Sequence, residues 1–125
     1  MRSRDEDFQA IGNLNTKTMQ LAGVVGYTGF TGAVCSMHMA GIGNWITREL
    51  LWTAFDYPFN QVNMVQVFGY VSAHNTKALK LDKHLGFRTL LVVEGGWGLE
   101  VDMHVLTMRK EDCRWLNIKR KLKVA

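Results

Sequence analysis

Alternation of apolar and polar residues in the first third of the chain predicts three β-strands. Residues 8–11 and 19–27 are expected to form the arms of a hairpin, and residues 12–17 have the Gly, Asn and Thr composition of a turn. A third strand is expected at residues 33–39. Its alternation separates two faces, with Val34, Ser36 and His38 on one and Cys35, Met37 and Met39 on the other.

The apolar spacing then changes to a helical period. Apolar residues recur on one helix face from residue 46 onward, at Ile46, Leu50, Leu51, Ala54 and Phe55. Asn44 is the expected N-cap, and Pro58 is expected to end the helix because its ring is excluded from a helix interior.

A strand and a second helix follow. Residues 65–71 are rich in β-branched and aromatic side chains, which favours a strand. Asn75 is expected to open a helix with apolar positions at Ala78, Leu79, Leu81 and Leu85. Gly86 is placed to end it as the C′ residue.

The last third of the chain predicts two strands and a helix. Residues 87–93 and 99–108 flank a glycine loop at 95–98, as in an antiparallel hairpin. Residues 110–122 carry acidic residues in the first turn and basic residues in the last, which complements a helix dipole. The expected order is β-β-β-α-β-α-β-β-α, an α/β fold with a mixed sheet and two crossover helices.

Composition limits the chain to one globular domain. It has 125 residues, 47% of them apolar and 21% charged. We expect a single domain over residues 1–125, with residues 1–7 and 118–125 as peripheral tails. No apolar run reaches the roughly 20 residues of a membrane span, so a cytoplasmic protein without a membrane partner is expected.

The cysteines argue against a disulfide scaffold and a metal site, and the distribution of charge argues against a nucleic-acid binder. The two cysteines, Cys35 and Cys113, are expected to be reduced thiols. Cys35 and His38 lack a matching second pair, so no metal is expected. The net charge is +4, but seven basic and two acidic residues lie from residue 109 onward, against eight and nine before it. The excess belongs to a terminal segment, which makes a nucleic-acid partner unlikely.

The segment with the clearest chemistry joins the third strand to the first helix. Gly41 and Gly43 permit a tight turn and close approach of an anion. The amides of residues 41–44, at the start of a helix, would form an anion cradle that suits a phosphate or pyrophosphate. A purely structural strand-to-helix turn is the alternative.

Three blocks of sequence resemble the GNAT superfamily of acetyl-coenzyme A dependent N-acetyltransferases. Residues 75–87 are similar to its N-x-x-A-x-x-L-Y-x-x-x-G-F signature, matched by Asn75, Ala78, Leu81, Gly86 and Phe87. His38-x-x-Gly41-x-Gly43 resembles its Q/R-x-x-G-x-G/A pyrophosphate loop. Residues 102–108 and 113–116 resemble the C-terminal strand and helix of small members found in tailed phages and prophages. The resemblance covers about residues 8–117.

The resemblance implies acetyl-coenzyme A (acetyl-CoA) as cofactor, bound where two parallel strands splay apart. Its pyrophosphate would lie on the loop, and its pantetheine along residues 37–39 and against the following helix. The implied cofactor-binding residues are Met37, His38, Met39, Gly41, Ile42, Gly43, Asn44, Asn75 and Ala78. It also implies that an amine attacks the thioester directly in a ternary complex. Gly43→Val is then expected to abolish cofactor binding, because its Cβ branch blocks the anion.

Two departures from the family pattern affect the catalytic groups. Only about seven residues precede the first predicted strand, so the half of the site that covers the acceptor amine is expected to be short. Asp82 stands where many members carry a Tyr that protonates the leaving thiolate. On an exposed helix among lysines it is expected to be an ion-pair partner with a lowered pKa, so that Asp82→Asn changes the rate less than threefold.

Catalytic residues are not assigned by sequence alone. His74, Ser36 and His38 are weak candidates, each with a structural role as the alternative. The function predicted is N-acetyl transfer to a small-molecule or peptide amine. The alternative is a catalytically reduced CoA-binding or assembly protein of the same fold. The acceptor stays open among antibiotic, polyamine, peptide N-terminus and protein lysine. A homodimer is expected to hide the apolar surface or strand edge that the short N-terminal part leaves open, and to complete the acceptor pocket.

Overall fold

The computed structural model describes residues 9–15, 20–41 and 45–117. Its strands are β1 (Gln9–Asn15), β2 (Gln20–Thr28), β3 (Val34–Gly41), β4 (Gln66–Ser72), β5 (Arg88–Gly98) and β6 (Val101–Arg109). Its α-helices are α1 (Arg48–Asp56) and α2 (Thr76–Leu85). The succession of strands and helices up to residue 109 is the predicted one.

The six strands form one mixed sheet in the order β1-β2-β3-β4-β6-β5. β3 and β4 run parallel, since α1 carries the chain back between them, and the other neighbours are antiparallel. α2 crosses from β4 over β6 to β5, which becomes an edge strand. The α/β architecture with two crossover helices is therefore confirmed.

One face of the sheet is covered by both helices. Strand register and the alternation of side chains place these buried residues together on that covered face: Val25, Tyr27, Cys35, Met37, Val67, Leu106 and Met108. The Tyr27 hydroxyl donates to the Ala54 carbonyl of α1. The C-terminal end of α2 packs on β6, since a Cβ at Gly86, the residue after the helix, would lie 3.4 Å from the Met108 methyl group. The hydrophobic core thus lies between this face and the helices.

Aromatic side chains fill the space between the helices. Phe55 of α1 is fully buried, with ring centroids 6.3 Å from Phe59 and 6.1 Å from Phe87. Phe87 lies just after α2 and Gly86, so the contact between Phe55 and Phe87 packs the first helix against the end of the second. Such pairs add stability beyond the apolar area they bury.

The opposite face, called the open face, carries no helix in the described part of the chain. Register assigns to it Val34, Ser36, His38, Phe68, Tyr70, Ser72, Leu91, Val93, Met103, Val105 and Thr107. Tyr70, Leu91 and Val93 are exposed there. The expected shortage of cover on the acceptor side stays a prediction, because residues 1–8 lie outside the described part of the chain.

The boundaries of α1 differ from the prediction. Thr47, not Asn44, is the N-cap, and its hydroxyl accepts a hydrogen bond from the Leu50 amide at 3.0 Å. Pro58 does not end the helical segment, which continues as a π-helical turn, Tyr57–Gln61. Pro58 is tolerated at the start of that turn, where its missing N–H is not required. The Asp56 carboxylate holds the turn by accepting from the side-chain amides of Asn60 and Gln61.

The predicted ends of α2 are confirmed. The Asn75 side chain accepts from the Ala78 amide at 3.1 Å. Gly86 has φ of 113° and closes the helix with bonds to the carbonyls of Asp82 and Lys83. A left-handed backbone at this point favours glycine.

Two predicted loops and one predicted helix are wrong. β1 extends to Asn15 through most of the predicted turn, and residues 16–19 lie outside the described part. The predicted glycine loop at 95–98 belongs to β5, and the turn falls at residues 99–100, where Glu100 has φ of 58°. Residues 110–117 form two 3₁₀ turns, because Cys113 between them has an extended backbone. Residues 118–125 lie outside the described part.

Two other expectations concern chemistry. No helix among the described residues is long and apolar enough to cross a membrane. Cys35 and Cys113 are both buried and unbonded to each other, as expected for reduced thiols. Burial raises the pKa of the Cys35 thiol to about 11.

Candidate active site

The candidate site is a gap in the sheet between β3 and β4. These parallel strands pair only at their first residues, from Val34 opposite Gln66 to Ser36 opposite Phe68. Beyond that point they diverge. The backbone N–H and C=O groups that face the gap are not used in a ladder between these strands, so they are available to an extended ligand.

A cavity of about 260 Å³ occupies this gap. Its lining comes from β3, β4, α2 and the β5–β6 hairpin: Met37, His38, Met39, Gly69, Tyr70, Val71, Ser72, Asn75, Ala78, Leu81, Asp82, Phe87 and Trp97. The set includes residues of both sheet faces. Because Met37 lies on the covered face and His38 on the open face, the cavity is bordered by residues of both sides of the sheet.

Five of the nine predicted cofactor-binding residues meet at this cavity. Met37, His38 and Met39 form its β3 wall, and Asn75 and Ala78 form its α2 wall. This is the splayed-strand geometry expected from the resemblance.

Gly41 does not line the cavity and has another role. A Cβ at Gly41, or at its β2 neighbour Gly23, would overlap the buried indole ring of Trp45. Both positions therefore require glycine, because the Trp45 ring occupies the space that a side chain would take. Ile42, Gly43 and Asn44 lie outside the described residues, so the pyrophosphate loop stays a prediction.

Asp82 is not the exposed ion-pair partner that the sequence predicted. Its residue is half-buried, it lines the cavity, and its Oδ2 lies 4.0 Å from the position a Cβ would take at Gly69. Burial raises the pKa of Asp82 to about 6. The expected lowering of this pKa is therefore wrong, because loss of hydration outweighs the neighbouring lysines, which point to solvent.

The three candidate catalytic residues are separated by the structure. His38 lines the cavity on the open face, and its Nε2 lies 3.0 Å from the Thr28 hydroxyl. Although the residue is exposed overall, partial burial of its ring lowers the pKa of His38. Ser36 lies one step before the gap, in the paired part of β3, and does not line the cavity. His74 lies in the exposed turn before α2, also away from the lining.

Sequence reasoning missed the β4 wall, Asp82 and Trp97. A signal existed for Asp82, because Asn75, Ala78 and Asp82 are spaced by three and four residues and so share one helix face. The β4 wall, residues 69–72, follows from the parallel pairing of β3 and β4, which leaves both carboxyl ends at one opening. Trp97 gave no signal, since it lay in a predicted loop.

The arrangement fits a long ligand with amide groups and a reactive end. Exposed backbone polar groups on β3 and β4 can bond its amides, and apolar Met37, Met39 and Leu81 can pack on its methylene groups. The carboxyl group of Asp82 and the imidazole of His38 lie on opposite sides of the sheet. The cavity therefore offers one proton-transfer group to each side of a group transfer that takes place in the gap.

No protein-family model and no curated protein sequence matches this chain. The fold, in contrast, matches solved structures. The spermidine N-acetyltransferase from Vibrio cholerae in complex with CoA and spermine superposes with a TM-score of 0.76 and 19% identity, over 90% of this chain and 70% of that chain. A dodecameric structure of the same Vibrio cholerae enzyme gives a TM-score of 0.75, also at 19% identity and over 90% and 70% of the two chains.

A mutant form of the Vibrio cholerae spermidine/spermine N-acetyltransferase gives the same TM-score, 0.75, at 19% identity, over 90% of this chain and 72% of that chain. The more specific likeness to phage-type members stays a prediction. At this identity the superpositions establish fold and not activity. The chain therefore has the GNAT fold of these N-acetyltransferases, as the sequence blocks predicted.

Proposed function

We propose that this protein is an acetyl-CoA dependent N-acetyltransferase that transfers the acetyl group directly to an amine. The observation that carries the proposal is the cavity in the gap between β3 and β4, lined by Asp82 from the helix side and His38 from the open face. The fold shared with a structure that holds CoA and spermine supports it.

The cofactor would enter from the helix side. Residues 37–39 of β3 would bond the pantetheine amides through their backbone, and Asn75 and Ala78 would border the arm from α2. Because the Asn75 carboxamide oxygen caps α2, its NH₂ group is the part left to donate to a ligand. The pyrophosphate would lie on residues 41–44, where Gly43→Val remains the test.

Acetyl-CoA supplies the thioester whose carbonyl carbon the amine attacks. A bond from the amine nitrogen to that carbon forms, and the carbon–sulfur bond breaks. In the tautomer whose Nε2–H donates to the Thr28 hydroxyl, His38 would take, through its unprotonated Nδ1, the proton that the amine loses. Its lowered pKa keeps the ring neutral and able to accept a proton at pH 7.

Asp82 would supply the proton that the departing thiolate takes up. Its pKa of about 6 leaves roughly a tenth of the carboxyl groups protonated at pH 7. This replaces our sequence-based expectation that Asp82 is catalytically silent. A proton donor at a leaving group typically contributes a rate factor of about 10² to 10⁴.

The acceptor would approach from the open face. The described strand positions of the open face carry no carboxylate. Arg88 and Arg109 lie at the end away from the gap, where Arg109 is paired with Glu111 at 2.8 Å. A polycation would find no carboxylate on the strand positions beside the gap, whereas Phe68 and Tyr70 offer aromatic surface. We therefore propose a monoamine with an apolar or aromatic body as the acceptor class.

The test is release of free thiol from acetyl-CoA with a panel of amines that includes 2-phenylethylamine and spermidine. We expect turnover with the aromatic monoamine and less with spermidine. Binding of CoA without turnover of any amine would favour the alternative, a cofactor-binding or assembly protein of this fold. Absence of both would refute the proposed function.

A further inference from the structure

The β5–β6 hairpin carries a concentrated run of exposed apolar side chains. Six lie between residues 90 and 99, a segment called here the apolar hairpin: Leu90, Leu91, Val92, Val93, Trp97 and Leu99. The four on consecutive β5 positions are between 36% and 49% exposed, and Leu99 at the turn is 94% exposed. Contiguous apolar surface of this kind marks an interaction site in a soluble domain.

The apolar side chains of β5 point to both faces of the sheet. Leu91 and Val93 pair with Val105 and Met103 and share the open face, whereas Val92 pairs with His104 on the other face. A partner laid against one face would leave the other set exposed. A strand added alongside β5 contacts both sets at once, because cross-strand neighbours lie about 5 Å apart on each face.

The register of β5 favours a second copy as that strand. Pairing with β6 is interrupted between Thr89 and Leu91 and again after Val93, so residues 91–93 form the regular segment. An antiparallel copy centred on Val92 would place Leu91 opposite Val93 of the second copy, and Val92 opposite itself. The arrangement is self-complementary and closes with twofold symmetry.

The opposite edge of the sheet lacks this surface. In β1 the exposed described positions are Gln9, Ala10 and Gly12, none of them large and apolar. Residues 89–93 contain no charge and no proline, although charge and proline are common means of blocking an edge. The uncharged run also presents no repulsion to its own copy.

We propose that two copies of this chain associate through β5, paired antiparallel about Val92. The exposed apolar side chains amount to roughly a few hundred Å² per copy, which is a small interface for two copies of a chain. We therefore expect a dimer that dissociates on dilution. Trp97, which lines the cavity, lies in the same hairpin, so this interface adjoins the candidate active site.

The first test is single-cysteine crosslinking under mild oxidation. Val92→Cys is expected to give a covalent dimer readily, since only the residue on the twofold axis faces its own copy at disulfide distance. Leu91→Cys and Val93→Cys should each crosslink poorly alone and well when the two variants are mixed. The native cysteines do not interfere, because both are buried.

Gln9→Cys on the opposite edge is the matched control and should stay monomeric on oxidation. Equal crosslinking of Gln9→Cys and Val92→Cys would overturn the proposal, as would a failure of Val92→Cys to crosslink.

The second test is molar mass by light scattering over the micromolar range. We expect the wild-type mass to approach twice that of the chain, Val92→Lys to stay at the monomer mass, and Gln9→Lys, with the same added charge, to behave as wild type. Circular dichroism confirms that each variant is folded. A monomeric wild type at the highest concentration contradicts the proposal, and neither test depends on acetyl transfer.

Discussion

The two faces of the sheet differ in how they are completed. On the covered face, Tyr27, Val67 and Leu106 are fully buried beneath α1 and α2. On the open face, Tyr70 is 40% and Leu91 47% exposed, although both are large and apolar. Val105 and Thr107 of the open face are buried, so the same strands present a finished core to one side and a partly exposed surface to the other.

This difference separates stability from substrate choice. The covered face holds the helices that would position the cofactor, so a change there affects folding and cofactor binding. Tyr70, Leu91 and Val93 of the open face are exposed, so these positions can vary with the acceptor or the partner at small cost in stability. Residues of both sides of the sheet line the gap between β3 and β4.

The largest expected effect compares one aromatic residue from each side of the sheet, Phe55 of α1 and Tyr70 of the open face. Phe55→Ala should lower the free energy of unfolding by about 3–5 kcal/mol, because a fully buried ring is lost and a cavity remains. Tyr70→Ala should cost less than about 1 kcal/mol, since its ring is already exposed. Chemical denaturation of both variants measures the contrast. Equal losses would show that the open face is covered after all.

The second prediction concerns proton transfer on the helix side of the gap. Asp82→Asn should lower the rate of acetyl transfer by about a hundredfold, roughly 2.7 kcal/mol, with CoA affinity unchanged. In the wild type the rate should fall as the pH rises above about 6, because the carboxyl group loses its proton. The variant should lack that decline. Lys83→Gln, which removes a charge from the exposed side of α2, is the control and should keep both rate and pH profile.

The Asp82 carboxyl group also couples stability to pH. Its pKa is higher in the folded chain than the ordinary 3.8, so the folded state holds the proton more tightly. Stability from this group is full below about pH 4 and is lost as the pH rises to about 6. After allowance for partial exposure, Asp82→Asn should be more stable than wild type by about 1 kcal/mol at pH 7 and equal to it at pH 4. Thermal melting of both proteins at pH 7 and at pH 4 measures this difference in stability. A variant less stable than wild type at pH 7 would contradict the prediction.

The smallest expected effect is at the start of α2. Asn75→Ala should cost about 1 kcal/mol through loss of the N-cap, and Asn75→Asp should restore that stability. If the Asn75 NH₂ group also donates to the cofactor, both variants should bind CoA more weakly than wild type, because both lack that group. Recovery of affinity in Asn75→Asp would limit Asn75 to its capping role.

Local signals predicted the elements that depend on local chemistry. Asn75 and Gly86 mark the ends of α2 because a side-chain cap and a left-handed glycine act within one helical turn. The same reasoning failed at Pro58, where the carboxylate of Asp56 holds a π-helical turn through side chains four and five residues later. It failed also at residues 95–98, which belong to β5 although the register with β6 is interrupted between Val93 and Gly98.

The candidate site was predictable where sequence blocks and strand order agree. Met37, His38 and Met39 followed from the resemblance and from the strand pattern, and they do line the cavity. Asp82 was misjudged because a helical sequence gives the spacing of residues but not which neighbours remove water from them. The covering of Gly41 by Trp45 was likewise invisible, since it depends on tertiary packing between β2, β3 and the segment before α1.

Calorimetric titration of CoA tests the central claim, that the gap between β3 and β4 is the cofactor site. The wild-type chain should bind one CoA per chain. Ala78→Trp, which fills the α2 wall of the cavity, should abolish binding, and Lys80→Trp, on the exposed side of the same helix, should bind as wild type does. No binding to the wild-type chain, or unchanged affinity in a folded Ala78→Trp variant, would contradict the claim.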